Sequence, residues 1–277
     1  MLRAVLLMLL AMSLIPLGDS AAKTLINTHG VAPVYVVWVR FALGAVVVLP
    51  FLPQKTRVAR VFTDWRILFR ALIMVCGISS IMVALKLAPL PSVYGAFFVG
   101  PMISYALSVW FLGEKVTLGR TLLLALGFLG VLLVVKPGAA MNPGLLFALL
   151  AGCFYGIFLT SSRWLAGVAP GPHLLFSQLA VGGLVLLPFG LPHLTEASPL
   201  VLGLLAASAL CSMAGNLLLI LAYGLAPATR MAPLVYVQLI AASAYGWTLF
   251  NDRPDALTWL GMGLLVATGF AALLKRA

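Results

Sequence analysis

Acids, histidines and cysteines are scarce: the 277 residues include six Asp or Glu, three His and three Cys, and only 8% are charged. Scarcity of this kind removes whole classes of chemistry. No HExxH, Walker loop, GxSxG or Cys/His cluster occurs, so the motifs of zinc hydrolysis, nucleotide binding and acyl transfer are missing and no cofactor is implied. Cys76, Cys153 and Cys211 lie inside apolar runs, are odd in number and lack the paired spacing of a metal site. They read as inert packing residues.

What the chain has in abundance is hydrocarbon. At 63% hydrophobic residues and a mean hydropathy of +1.15 it is too apolar for a soluble domain, and its solvent must be the lipid bilayer. A spanning helix needs about 20 apolar residues. Runs broken by Pro, Gly and charge place ten helices near 3–26, 34–52, 66–86, 91–112, 117–135, 143–165, 172–190, 198–222, 230–250 and 256–274. Arg3, the run from Val5 to Leu14 and the small residues Gly18 to Ala22 have the form of a cleavable signal peptide; cleavage would delete the first helix, and the stretch is read as a span.

The net charge of +11 is not a nucleic-acid footprint, because the basic residues sit in short gaps between apolar runs, where they set orientation. With the N-terminus inside, the cytoplasmic set is Arg3, Lys55, Arg57, Arg60, Arg66, Arg70, Lys115, Arg120, Arg163, Arg230, Lys275 and Arg276; the outer set is Lys23, Lys86, Lys136 and Arg253. Both termini are expected in the cytoplasm.

The stretch from Ala84 to Lys115 returns 138 positions later as Ala222 to Arg253. Ala84, Leu87, Ala88 and Pro89 meet Ala222, Leu225, Ala226 and Pro227, and Glu114-Lys115 meets Asp252-Arg253. Outside the stretch, Gly18 meets Gly156, and Leu49-Pro50 meets Leu187-Pro188. The reading is two halves, 1–138 and 139–277, of five helices each. An odd helix count makes the second half enter the membrane from the opposite side, so the fold class is an all-α integral membrane protein of two inverted five-helix repeats.

The segment APLPSVYGAFFVGPMISYALSVWFLGEK, followed by a Gly-rich fifth helix ending in VVKPG, resembles the first EamA unit of the drug/metabolite transporter superfamily, and Leu221 to Lys275 resembles the second. The second half departs at Leu239, where Pro101 falls in the first, and at Phe250-Asn251-Asp252, where the first reads Leu112-Gly113-Glu114. The resemblance implies a ten-helix carrier in the bacterial inner membrane, moving a small organic solute with the proton as candidate coupling ion. It names no single substrate.

Ionisable groups in hydrocarbon need a reason, since each costs about 2.5 to 3.5 kcal/mol at a helix centre. Asp19 and Lys23 share one face of the first helix at spacing i, i+4. Arg40, seven residues into the second, lies at a depth similar to Asp19, so the two can pair as a structural pin or as a proton or substrate site. Glu114 and Asp252 close their helices beside a base and suit capping of the next helix, while Asp64, Glu196 and Asp255 read as solvated loop charge. On the fourth helix Tyr94, Phe98, Pro101, Tyr105 and Ser108 recur at helical spacing and are expected on one face. The matching face of the ninth carries Ala232, Tyr236, Leu239 and Ser243. Tyr155, Gln178, Ser208, Ser212 and Asn216 complete the mid-membrane polar set. Gly18 and Gly156 suit close helix approach, and His29, His173 and His193 read as interfacial.

From these, the substrate-binding candidates are Asp19, Arg40, Tyr94, Phe98, Pro101, Tyr105, Tyr155, Gln178, Asn216, Tyr236 and Ser243. The function expected is a secondary transporter of an amino acid or related metabolite, driven by a solute or proton gradient. The rival is an integral-membrane enzyme acting on a lipid or lipid-linked substrate, which would need clustered acids or His near one interface; the embedded acids reduce to Asp19. A channel would need a filter motif, and none is visible. The sequence leaves the oligomeric state open. Topology is directly testable: on a Cys-free background, cysteines replacing Arg57 and Arg163 should label only from the cytoplasm, and those replacing Gly138 and Arg253 only from outside. Cytoplasmic labelling at 138 would overturn the inverted repeat.

Overall fold

The computed structural model describes residues 2–52, 62–113, 118–136, 142–165, 168–194, 198–225 and 232–274. Lys55, Arg57, Arg60, Glu114, Lys115, Gly138, Glu196, Arg230, Lys275 and Arg276 lie outside the described residues. The helices are α1 (Leu2–Asn27), α2 (Pro33–Val48), α3 (Trp65–Leu87), α4 (Leu90–Phe97), α5 (Val99–Leu112), α6 (Leu118–Val135), α7 (Pro143–Trp164), α8 (Gly171–Gly190), α9 (Pro199–Leu225), α10 (Val237–Phe250) and α11 (Ala256–Leu274). Among the described residues, seven spans are long and apolar enough to cross a membrane, with α4 and α5 counted as one, and three shorter apolar helices at 121–135, 234–250 and 256–271 accompany them. Large apolar side chains such as Val46, Trp110, Phe111, Leu184 and Leu260 cover the outer surface, where lipid replaces water as their solvent.

Contacts follow the repeat. α2 packs on α8 and α6 on α11, each helix against its counterpart 138 positions on, while α4 packs on α10, the counterpart of α5, α1 lies along α9 and α3 along α7. The fourth span is not one helix. Pro101 has no N–H to give the Phe97 carbonyl, so the ladder lapses, Phe98 takes a non-helical ψ of 2°, and the chain restarts as α5. The second repeat breaks at the equivalent place, where a 3₁₀ turn over Ala232–Tyr236 gives way to α10. The two residues at the breaks, Phe98 and its counterpart Tyr236, stack on each other with ring centroids 5.0 Å apart and planes 21° apart. Both repeats also end this span in the left-handed region, at Gly113 (φ 66°) and Asn251 (φ 54°). Asn is the non-glycine residue that tolerates this cap, so that sequence departure preserves the backbone.

Several loop charges expected to be merely solvated are helix caps. Asp64 Oδ1 accepts from the Arg66 amide at 2.9 Å, and Asp255 Oδ1 accepts from the Thr258 amide at 2.9 Å. The hydrogen bond from Lys136, together with those from Thr258, holds the Asp255 carboxyl down at about 2. Asp252 caps too, but not the next helix: its Oδ2 accepts from the Leu90 amide at 3.1 Å, the first residue of α4 in the other repeat. His29 and His193 are exposed, whereas His173 is fully buried, with neither ring nitrogen bonded to a described residue. Cys153 and Cys211 are half-buried, and Cys76 lies exposed on α3.

Close approach at Gly156 follows from its backbone: a Cβ there would stand 2.6 Å from the Gly100 carbonyl oxygen beside the α4/α5 break. Gly156→Leu should therefore destabilise by about 1 to 3 kcal/mol through overpacking, read as a lowered melting temperature in detergent. Gly203→Leu, with open space around its Cβ position, should leave melting nearly unchanged.

Candidate functional site

Five helices meet around the buried charges. Asp19 on α1 is 3% exposed, Arg40 on α2 is 6% exposed, and Arg40 Nη1 donates to Asp19 Oδ1 at 2.6 Å. Tyr94 on α4, wholly buried, donates its hydroxyl to Asp19 Oδ2 at 2.7 Å. Arg40 Nη2 donates to Ser212 Oγ on α9 at 2.7 Å, and its Nη1 also faces Met82 Sδ at 3.7 Å. Both Asp19 oxygens and both terminal nitrogens of Arg40 thus find partners within one buried cluster, as a low-dielectric site requires.

This cluster forms one wall of a cavity that also takes in Phe97, Tyr155, Phe158, Asn216 and Gln238. Let the N-side be the membrane face at which α1 begins. The lining residues Met12, Gly77, Ile81, Ala151, Tyr94 and Gln238 are buried; on α3, α7 and α9 the lining residues farther toward the N-side, Ile73, Met74, Phe158, Leu159 and Leu219, are half-buried. The cavity therefore opens toward the N-side. At the opposite face the ends are laced together. Lys23 is buried, donating to Asp252 Oδ2 at 2.8 Å and to the Ala88 carbonyl at 3.1 Å, with the Phe250 ring 5.0 Å beneath it. Lys136 pairs with Asp255 nearby.

Of the residues singled out from sequence, Asp19, Arg40, Tyr94, Tyr155 and Asn216 line this cavity. Gln178 lines a smaller one behind Arg40, where Gln178 Oε1 and Arg40 Nε both lack partners among the described residues. The single face expected for the fourth span does not exist, because the break at Phe98 changes the register. Pro101, Tyr105 and Tyr236 border a separate cavity with Leu124 and Thr268, and Phe98 is committed to the Tyr236 stack. Ser243 bonds its own helix at Leu239 O and faces Met262 Sδ on α11. Sequence reasoning passed over Phe97, Phe158 and Gln238. A carboxamide within an apolar run was the available signal for Gln238, which lies against the Tyr94 hydroxyl.

Residues 2–136 and 142–273 each match the EamA-like transporter family. The chain belongs to the EamA-like transporter family. Other EamA-related proteins place it among carriers of small molecules. It is 26% identical over 241 residues to the S-adenosylmethionine uptake transporter of Rickettsia conorii, covering 84% of this chain and 80% of that protein. The riboflavin transporter of Rhizobium johnstonii is 28% identical over 229 residues, 79% of this chain and 74% of that one. The pseudopaline exporter CntI of Pseudomonas aeruginosa is 29% identical over 178 residues, 63% and 62% respectively. A solved crystal structure superposes with a TM-score of 0.64 at 18% identity, covering 98% of this chain and 95% of that one; that likeness concerns the fold. This EamA protein is a multi-pass membrane transporter of small molecules.

The energetics of its ion pair are testable by a double-mutant cycle. Asp19→Asn and Arg40→Gln should each cost about 3 to 5 kcal/mol, because each strands the other buried charge, and the double variant should recover most of the loss. Thermal and denaturant unfolding in detergent would measure both.

Proposed function

We propose that this protein is a secondary active transporter that carries an amino-acid-related metabolite across the bacterial inner membrane by alternating access, with a proton on Asp19 as coupling ion. One observation supports this above all: the charged cluster lies at the closed end of a cavity whose other end is open to the N-side. In this reading the termini and the N-side are cytoplasmic, and the repeats 1–138 and 139–277 rock against each other. The Lys23 contacts to Asp252 and Ala88 act as the latch of the outer face, since they tie α1 to the start of α4 and to the end of α10. Opening that face requires their release.

The amino-acid-related class fits S-adenosylmethionine, the solute in the name of the Rickettsia conorii relative, and a cavity that combines apolar walls with a few polar groups. The rival reading, an enzyme acting on a lipid-linked substrate, gains no support, because the residues lining this cavity include no second acid and no histidine beside Asp19.

The test is flux into proteoliposomes under an imposed proton gradient, with S-adenosylmethionine, riboflavin and L-phenylalanine as solutes. Wild-type protein should move at least one of them, with the rate following the gradient. Asp19→Asn with Arg40→Gln, which keeps size and hydrogen bonding while deleting both charges, should reconstitute as folded protein and lose the flux. Near-normal flux in that double variant would remove the coupling role from the pair.

A further inference from the structure

The charges at the end of the cavity are cancelled before any solute arrives. Both Asp19 oxygens are engaged, one by Arg40 and one by Tyr94, and both terminal nitrogens of Arg40 already donate. A solute that approaches from the N-side therefore meets a neutral surface, and its recognition falls to the remaining polar groups. Two of these are carboxamides. Asn216 on α9 donates one amide hydrogen to Ser212 O at 2.8 Å, which leaves its Oδ1 and second hydrogen without a partner among the described residues. Gln238 on α10 is buried in the same lining. A carboxamide presents an acceptor and a donor side by side in one plane. Its complement is a ring edge that carries a donor beside an acceptor.

Aromatic rings supply the second half of the recognition. Phe97 and Tyr155 lie 4.8 Å apart, and Tyr155 and Phe158 stack at 6.1 Å with planes only 18° apart, forming a continuous wall. All three line the cavity. Such rings hold a planar ligand by stacking. Resting on the transporter reading above, we infer that the cavity binds a planar nitrogen heterocycle, whose face packs on the Phe97, Tyr155 and Phe158 wall and whose donor and acceptor edge is read by Asn216 and Gln238. Any charged end of the solute extends toward the half-buried mouth at Met74 and Leu219.

Ligand titrations on purified protein, followed by thermal shift, test this with adenosine, N6,N6-dimethyladenosine and L-phenylalanine. Adenosine has the edge, its dimethyl analogue lacks the edge donor, and phenylalanine has a ring with no edge heteroatom. Wild-type protein should be stabilised by adenosine, and about tenfold or more weakly by the other two, because an edge-reading site rejects analogues that leave its buried groups unpaired. Asn216→Leu and Gln238→Leu should weaken adenosine by about tenfold and bring it level with the dimethyl analogue. That loss of discrimination is a change that misfolding alone does not produce, and the wild-type comparison decides the matter even if a variant fails to fold. Absence of adenosine binding, equal stabilisation by phenylalanine, or discrimination that survives in both variants would overturn the inference. Proteoliposomes separate the two readings: flux of phenylalanine without heterocycle binding keeps the transporter and removes the heterocycle site, whereas adenosine binding with no flux of any solute does the reverse.

Discussion

A buried arginine in a bilayer has to find its counter-charge, and the Asp19 to Arg40 bond at 2.6 Å is the contact around which this molecule is arranged. Neither residue could persist alone, since an unpaired charge at that depth costs several kcal/mol. The pair recruits further helices. Ser212 brings in α9, Tyr94 brings in α4, and Met82 brings in α3. Five helices are thereby fixed around one salt bridge, and four of them come from the first repeat. The cavity is the space left between this cluster and the Phe97, Tyr155 and Phe158 wall opposite. Its polarity is low because the cluster satisfies itself.

The break in the fourth span does a different job. Without it Tyr94 and Tyr105 would share a face; with it Tyr94 turns to Asp19 while Tyr105 borders another cavity. At the break, Gly152 of α7 approaches the freed Phe97 carbonyl and Gly156 approaches the neighbouring Gly100 carbonyl, where a Cβ would stand only 2.6 Å away. Repeat-related breaks meeting at the Phe98 and Tyr236 stack place the irregular backbone where the two halves cross, buried within protein. Irregular backbone at membrane depth is tolerated only in such surroundings or along a cavity.

Which features the sequence revealed depends on how local their physics is. Ten apolar runs and the 138-residue echo follow from hydropathy and spacing along the chain. Asp19 and Arg40 were legible as partners because charge in hydrocarbon demands a partner and depth can be counted at about 1.5 Å per residue. Lys23 with Asp252 was not, since 229 positions separate them and each sits near a helix end, where a solvated role was equally consistent. The division of the aromatic stripe was hidden for another reason. Pro101 marks where a hydrogen bond is lost, but the angle at which the helix resumes depends on what packs against it, here α7 and α10.

The two repeats agree in backbone and disagree in chemistry. Counting on by 138, Asp19 falls on Ile157, Arg40 on Gln178, Tyr94 on Ala232 and Lys23 on Ser161. Only one repeat carries the charged cluster, and only one outer-face helix supplies a lysine latch. In the proposed cycle, closing the N-side by the pseudo-symmetric movement would set Ser161 where Lys23 now sits, and a serine hydroxyl cannot replace an ammonium that engages a carboxylate, a carbonyl and an aromatic face together. In that cycle the face opposite the N-side closes on Lys23 and Asp252, and closure of the N-side must rest on other contacts. In that proposed cycle, binding in the central cavity must supply the free energy that releases the latch.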